Sequence, residues 1–186
     1  MFNIIPTPEN ISGGERRVSL PALVSAPECF ADAAATLCDF ARRIHGVSIR
    51  AGQGGIELVC DTALPEEGYA LTVTEGGATV RAADIRGAHN GAMTLIQLME
   101  SDGEALSLPD VSISDRPECS WRGVLLDLAR NWHELGMILE YVDMCRFYKV
   151  KYLHLHFTDD QSYTLPSRAF PKLSIRIRLS IPSTRV

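Results

Sequence analysis

The sequence has 186 residues, of which 46% are hydrophobic and 22% are charged, and its formal net charge is −5. This length is enough for one domain, or for one domain and part of a second, but it is too short for a complete large barrel enzyme. The ordinary composition excludes wholesale disorder. An acidic balance without a lysine or arginine cluster argues against nucleic acid and against a membrane surface as partners.

Two further features of the composition bear on cellular context. No apolar run approaches the roughly 20 residues that span a bilayer, and the first eight residues lack the pattern of a signal peptide, so we expect a cytoplasmic protein. The cysteines are odd in number, scattered and without C-x-x-C spacing, which favours reduced and mostly buried thiols over disulfides or structural zinc. They are Cys29, Cys38, Cys60, Cys119 and Cys145.

The clearest helix of the first half runs from about Phe30 to Ile44, where apolar residues recur at helical spacing. Ser25 and Glu28 fit a capping box at its start. Gly46 fits the residue that ends such a helix. One broad apolar side predicts that this helix lies on a sheet.

The strands of that sheet follow along the chain. Ile56 to Cys60 predicts a short strand, and Tyr69 to Thr74 with Ala78 to Ala83 alternates like a hairpin. A second amphipathic helix is predicted from about Ile85 to Met99. Residues 1–115 therefore predict an α+β domain in which helices cover one face of a sheet.

A different pattern begins after Pro109 to Pro117, a stretch that resembles a connector. Gly123 to Leu128 predicts a compact apolar strand, Leu135 to Cys145 a helix, and Tyr152 to Phe157 a second strand. Strand, helix and strand with short joints predict one βαβ unit with parallel strands. Such a unit cannot bury its own apolar faces, so it reads as the beginning of a larger α/β fold.

Polar side chains gather at the ends of these two strands. In a parallel barrel, the carboxyl ends of the strands carry the active site, so charges there are more informative than charges elsewhere. The residues concerned are Asp127, Arg130, His154, His156, Asp159 and Asp160.

Each of these residues has a structural interpretation beside a functional one. His154 and His156 share one face of a strand, which suits either an internal polar layer or a pair of metal ligands. Asp159 and Asp160 either cap the next turn or accept hydrogen bonds from ligand hydroxyls. Arg130 either pairs with Asp127 or directs a fork of donors at a polar substrate.

Several motifs resemble family 20 glycoside hydrolases, the β-N-acetylhexosaminidases. The run Trp-Arg-Gly-Val-Leu-Leu-Asp-Leu-Ala-Arg at 121–130 resembles their first barrel strand. Tyr-Lys at 148–149 and Leu-His-Leu-His-Phe-Thr-Asp-Asp-Gln at 153–161 resemble their second. Ala-Phe-Pro-Lys-Leu at 169–173 resembles the segment that follows. Stretches 68–73 and 87–98 are similar to their small α+β domain, so the resemblance covers about residues 3–174.

The resemblance implies a fold and a reaction. The fold is a (β/α)8 catalytic barrel behind an N-terminal α+β domain. The reaction removes terminal N-acetylglucosamine or N-acetylgalactosamine with retention and without a cofactor, and the nucleophile is the substrate's own 2-acetamido oxygen. The family's catalytic pair is an adjacent Asp-Glu on a later strand. This sequence contains no Asp-Glu dipeptide, so it offers no catalytic residue and we expect the chain alone to be inactive.

The resemblance also assigns substrate-binding residues. Arg130 matches the arginine that binds sugar hydroxyls, and Asp159 matches the aspartate that supports the site from the second strand. His156 and Asp160 fit the same pattern. No metal ligand is implied.

The resemblance divides the chain into an N-terminal domain at 1–115, a partial barrel at 116–174 and a divergent tail at 175–186. A truncated or frameshifted reading frame would account for that tail. Two other classes of function remain open. One is a non-catalytic carbohydrate-binding or accessory module, and the other is a metal-dependent hydrolase barrel that uses His154 and His156.

Overall fold

The structure is a computed structural model that describes residues 3–101, 105–131, 133–160, 163–165 and 167–171. The predicted tail at 175–186 lies outside the described residues. Contacts divide the chain into two units. The first is Met1–Ser120 with Arg146–Lys149, and the second is Trp121–Cys145 with Val150–Val186.

A mixed sheet forms the larger part of the first unit. The strands are β1 (Asn10–Leu20), β2 (Leu23–Ser25), β3 (Arg50–Ala51), β4 (Ile56–Cys60), β5 (Tyr69–Thr74), β6 (Gly77–Ala82), β7 (Glu100–Ser101) and β8 (Leu106–Asp115). They stand in the order β1-β8-β5-β6-β4-β2-β3, and β7 pairs with β8. Pairs on the β1 side are antiparallel, whereas β6, β4, β2 and β3 run parallel to one another.

The core of this unit lies on one face of the sheet. Tyr69, Leu71 and Val73 of β5 are buried, while Thr72 and Thr74 between and after them are exposed, the alternation expected of a sheet with one covered face. Two helices, α1 (Ala31–His45) and α2 (Ile85–Leu98), pack against each other. Their apolar sides join the core residues of the strands in one cluster.

The predicted helices and hairpin are present, but the start of α1 differs from the prediction. Gly46 ends α1 with φ 69°, as expected of a helix-terminating glycine. The predicted capping box is wrong, because Ser25 pairs with Glu57 between β2 and β4. A 3-10 turn over Glu28–Phe30 precedes the helix instead, and no side chain caps α1.

The predicted connector at Pro109 to Pro117 is also wrong over most of its length. Residues through Asp115 belong to β8, which pairs with β1 on one side and β5 on the other. Pro109 is accommodated because the register shifts beside it. Gly13 pairs with Val111 and Arg17 with Pro109, so three residues of β1 stand opposite one residue of β8.

The prediction that the cysteines are mostly buried is wrong. Cys29, Cys60 and Cys119 are exposed, and Cys38 and Cys145 are half-buried. Cys60 is the last residue of β4 and is exposed, although strand alternation places it on the same face as the buried Ile56 and Leu58. Burial raises the pKa of the Cys38 and Cys145 thiols.

The second unit contains the predicted strand, helix and strand. They are β9 (Gly123–Asp127), α3 (Leu135–Phe147) and β10 (Tyr152–His156), and the last two residues of α3 belong to the first unit. β9 and β10 are parallel, as predicted, with Gly123 opposite Tyr152 and Asp127 opposite His156. In the part of the chain that the structure describes, no helix is long and apolar enough to cross a membrane.

Candidate functional site

The candidate site lies where β9 and β10 end. The parallel register places Asp127 opposite His156, so both strands reach the same edge at the same level. A further backbone hydrogen bond from Leu128 N–H to the carbonyl of His156 (3.0 Å) holds the exits of the two strands together. Side chains that follow each strand therefore meet.

Asp127 holds the turn that carries Arg130. Its Oδ1 accepts hydrogen bonds from the backbone N–H groups of Ala129 (3.1 Å) and Arg130 (3.0 Å). Its Oδ2 lies 2.6 Å from Nε of Arg130. These bonds, led by the backbone N–H of Arg130, lower the pKa of Asp127. The carboxylate thus fixes both the backbone and the guanidinium of Arg130.

Asp159 receives donors from three directions. Its Oδ2 lies 3.0 Å from Nε2 of His156 and 3.4 Å from Nε of Arg130. Its Oδ1 accepts the backbone N–H of Asp160 at 2.8 Å. The bond from Asp160, together with those from His156 and the charge of Arg130, lowers the pKa of Asp159 to about 2. The carboxylate is therefore ionised throughout the neutral range.

The structure brings together three of the four predicted site side chains, those of Arg130, His156 and Asp159. Asp160 joins the cluster through its backbone N–H, and its side chain is exposed. His154 is exposed and takes no part in this hydrogen-bonded cluster. Within the described ranges, no three His, Cys, Asp or Glu side chains are placed to hold a metal ion together.

The arrangement suits recognition of a polyhydroxylated ligand. Both side-chain contacts described for Arg130 use Nε, and the side chain is 54% exposed. Its terminal guanidinium N–H groups are therefore available as donors, beside the carboxylate oxygens of Asp159 as acceptors. A fork of donors next to an ionised acceptor matches the paired donor and acceptor character of sugar hydroxyls.

From the sequence, Arg130 either forms an ion pair with Asp127 or binds a ligand. The structure shows the pair and also places the same guanidinium beside Asp159. An aspartate that accepts from the backbone two and three residues later forms an Asx turn. The sequence Asp-x-Ala-Arg at 127–130 is the signal that could have indicated that Asp127 orients Arg130.

Comparisons with known proteins match both parts of the chain. Residues 1–116 match the profile of glycosyl hydrolase family 20, domain 2, and residues 119–178 match that of the family 20 catalytic domain. The N,N'-diacetylchitobiase of Vibrio harveyi is 31% identical over 92% of this chain and 20% of its own length. The β-hexosaminidase of Akkermansia muciniphila is 36% identical over 63% of this chain and 25% of its own length.

Solved structures agree with these matches. The exo-β-N-acetylglucosaminidase from Vibrio harveyi in complex with N-acetylglucosamine superposes with a TM-score of 0.87 and 26% identity, over 92% of this chain and 28% of that one. The chain spans about a fifth to a quarter of the length of the two curated relatives. One family profile covers residues 1–116, well over half of the 186 residues. The chain belongs to glycosyl hydrolase family 20.

Proposed function

We propose that the chain forms the N-terminal α+β domain, at 1–115, and the first βαβ unit of a (β/α)8 catalytic barrel, at 116–174. The one-sided sheet with α1 and α2 supports the first assignment. The parallel pair β9 and β10 with α3 between them supports the second. Parallel strands joined by a helix are the repeating element of such a barrel.

The proposed reaction of the whole enzyme is removal of terminal N-acetylglucosamine or N-acetylgalactosamine. The relatives named β-hexosaminidase and diacetylchitobiase support this substrate class. In the substrate-assisted form of the reaction, the 2-acetamido oxygen attacks the anomeric carbon, so configuration is retained without a protein nucleophile.

The observation that carries the proposal is the convergence of Arg130, His156 and Asp159 at one strand edge. In this proposal Arg130 donates to the sugar hydroxyls and Asp159 accepts from them. His156 and the N–H of Asp160 hold the Asp159 carboxylate in place. The exposed carboxylate of Asp160 offers a further acceptor to the sugar.

We expect the chain by itself to bind sugar hydroxyls but not to hydrolyse the glycosidic bond. Substrate-assisted cleavage still needs one protein group that holds the acetamido oxygen near the anomeric carbon and another that protonates the leaving oxygen. General acid catalysis alone contributes about 10²- to 10⁴-fold. The sequence holds no Asp-Glu dipeptide to supply the pair.

A chromogenic N-acetylglucosaminide assay tests this division of roles. Purified chain is compared with buffer and with the variant Asp160→Asn. We expect no turnover above buffer from either protein. Turnover that survives purification and disappears in Asp160→Asn would show that Asp160 acts as the general acid and that its assignment to sugar binding is wrong.

A non-catalytic carbohydrate-binding module is the second candidate. The observation that favours it is that the hydroxyl-binding cluster is assembled in a chain without the catalytic dipeptide. Both candidates predict sugar binding without hydrolysis, and the affinity separates them. An autonomous binding module should be saturated at physiological sugar concentrations, whereas one edge of an incomplete barrel site should bind only weakly.

A further inference from the structure

Four residues far along the chain belong to the first unit. Arg146–Lys149, termed the anchor segment, lies within that unit although Trp121–Cys145 and Val150–Val186 do not. The ring of Phe147 stacks on that of Phe40, with centroids 6.2 Å apart and planes 12° apart. The carbonyl of Phe147 accepts a hydrogen bond from Nε2 of Gln97 at 3.3 Å. Phe147 also packs against the core cluster of the unit.

The last residue of the anchor segment is a buried lysine. Lys149 is 7% exposed, and its Nζ lies 3.1 Å from Oδ2 of Asp115 and 3.0 Å from Oη of Tyr69. The ammonium also lies 4.8 Å from the centroid of the Tyr69 ring. Its backbone has φ 59°, a conformation that non-glycine residues rarely adopt and that surrounding contacts must hold.

The partners of Lys149 form a connected network in the interior. Oη of Tyr69 donates to Oδ2 of Asp115 at 2.9 Å and lies 2.7 Å from Oγ1 of Thr94. Oγ1 of Thr94 donates to the carbonyl of Asn90 at 3.1 Å, and Oδ1 of Asp115 accepts the backbone N–H of Glu9 at 3.2 Å. The network thus ties α2, β5 and the end of β8 to one ammonium group.

A buried carboxylate without its cation is strongly destabilising, because desolvation of the charge is no longer offset. Asp115 has a side chain that is only 11% exposed, and Lys149 is the cation that contacts it there. Without the anchor segment, the first unit would enclose an uncompensated charge and would lose the packing of Phe147 on Phe40.

We infer that the anchor segment is an integral part of the N-terminal folding unit, which is therefore discontinuous in sequence and consists of residues 1–120 together with 146–149. The buried ion pair of Lys149 and Asp115 holds the segment in place. Opening of the first unit and release of the anchor segment are one cooperative event.

Hydrogen exchange on the unmodified full chain tests this inference first. The amide of Lys149 donates to the carbonyl of Arg146, so its exchange can be followed residue by residue in rising denaturant. We expect its protection to be lost at the same denaturant concentration as that of core amides in α2 and β5. Loss together with the amides of β9 and β10, at a concentration where α2 is still protected, would overturn the inference.

A double-mutant cycle tests the ion pair. The variants are Lys149→Met, Asp115→Asn and the double variant, and Glu57→Gln serves as a control because Glu57 is an exposed carboxylate on the same sheet. We expect each single change to lower the folding equilibrium constant of the first unit by about 100-fold or more. The double variant should lose much less than the product of the two effects, and the control should change little.

Independent, multiplicative effects of Lys149→Met and Asp115→Asn would overturn the inference, as would effects no larger than that of Glu57→Gln. If a single variant does not fold, the exchange experiment on the unmodified chain still decides, since it requires no substitution.

Discussion

Nε2 of His156 lies 3.0 Å from Oδ2 of Asp159, so the last residue of β10 fixes a carboxylate that follows the strand. The pair spans three residues of sequence across the turn out of β10. Because Arg130 reaches the same oxygen from the exit of β9, the carboxylate receives donors from both strands. An acceptor held in this way keeps one orientation, which a site for sugar hydroxyls requires.

The low pKa of Asp159 predicts a pH dependence of stability. Its folded-state pKa of about 2 lies below the value of about 3.9 for an unfolded chain. The ionised carboxylate therefore contributes stability that is fully present above the unfolded value and is lost as the pH falls from about 4 to 2. The groups that favour ionisation are, in decreasing order, the backbone N–H of Asp160, the side chain of Asp160, His156 and Arg130.

Asp159→Asn removes this contribution. We expect the free energy of unfolding of the second unit to fall less steeply between pH 4 and 2 in the variant than in the unmodified chain. Urea titrations at several pH values over that range measure the free energy of unfolding. The control Glu140→Gln removes an exposed carboxylate of α3 and should keep most of the original pH dependence of stability. Identical curves for the unmodified chain and Asp159→Asn would contradict the prediction.

Substitution of Gly91 in α2 by alanine should change stability in the direction opposite to that expected from helix propensity alone. A Cβ there would clash with Cγ1 of Val80 and lie 3.1 Å from the ring of Tyr69. Overpacking of a core costs about 1–3 kcal/mol, against a gain of about 1 kcal/mol from alanine in a helix. We expect Gly91→Ala to lower the free energy of unfolding of the first unit. In the matched substitution Gly136→Ala, the new Cβ meets nothing within 4 Å.

Urea denaturation monitored by circular dichroism measures both substitutions. Gly136→Ala should leave stability unchanged or raise it. A Gly91→Ala variant that is more stable than the unmodified chain would mean that α2 moves away from the sheet without cost, contrary to the close packing of Gly91 on Val80 and Tyr69.

Substitution of Asp84, the N-cap of α2, should lower the stability of the first unit. Its Oδ1 accepts the N–H of Gly87 at 2.8 Å, and its Oδ2 accepts the N–H of Glu67 at 3.1 Å. Replacement of an N-cap by alanine costs about 0.5–2 kcal/mol, and Asp84→Ala removes the second bond as well. We expect Asp84→Ala to lower the thermal unfolding midpoint of the first unit more than Asp84→Asn, which keeps a side-chain acceptor. Equal midpoints for the two variants would argue against a capping role.

Elements with a periodic pattern of apolar residues could be predicted from the sequence alone. The apolar spacing of α2 and the alternation of β5 predicted both elements. β5 buries alternate side chains, and ten of the 14 residues of α2 are buried. The prolines near residue 109 misled the prediction of β8. Whether a strand tolerates Pro109 depends on the register shift against β1, around Gly13 and Arg17, and that partner lies almost a hundred residues away.

The candidate site was predictable in outline but not in detail. Parallel strands end at one edge, which was enough to group Arg130 with Asp159. The bonds that orient each group depend on turn geometry after β9 and β10. The burial of Lys149 had no local signal at all, since Tyr69 and Asp115 lie 80 and 34 residues away from it.

The central claim is that Arg130 and Asp159 form an edge that binds the hydroxyls of an N-acetylhexosamine. Titration of the isotope-labelled full chain with N-acetylglucosamine, followed by amide NMR, tests it directly, with Arg130→Met as the variant and Arg168→Met as a matched control in the same unit. We predict saturable shifts at the amides of Ala129, Arg130 and Asp160 that are lost in Arg130→Met and kept in Arg168→Met. Shifts that persist in Arg130→Met, or the absence of any response at these amides, would contradict the claim.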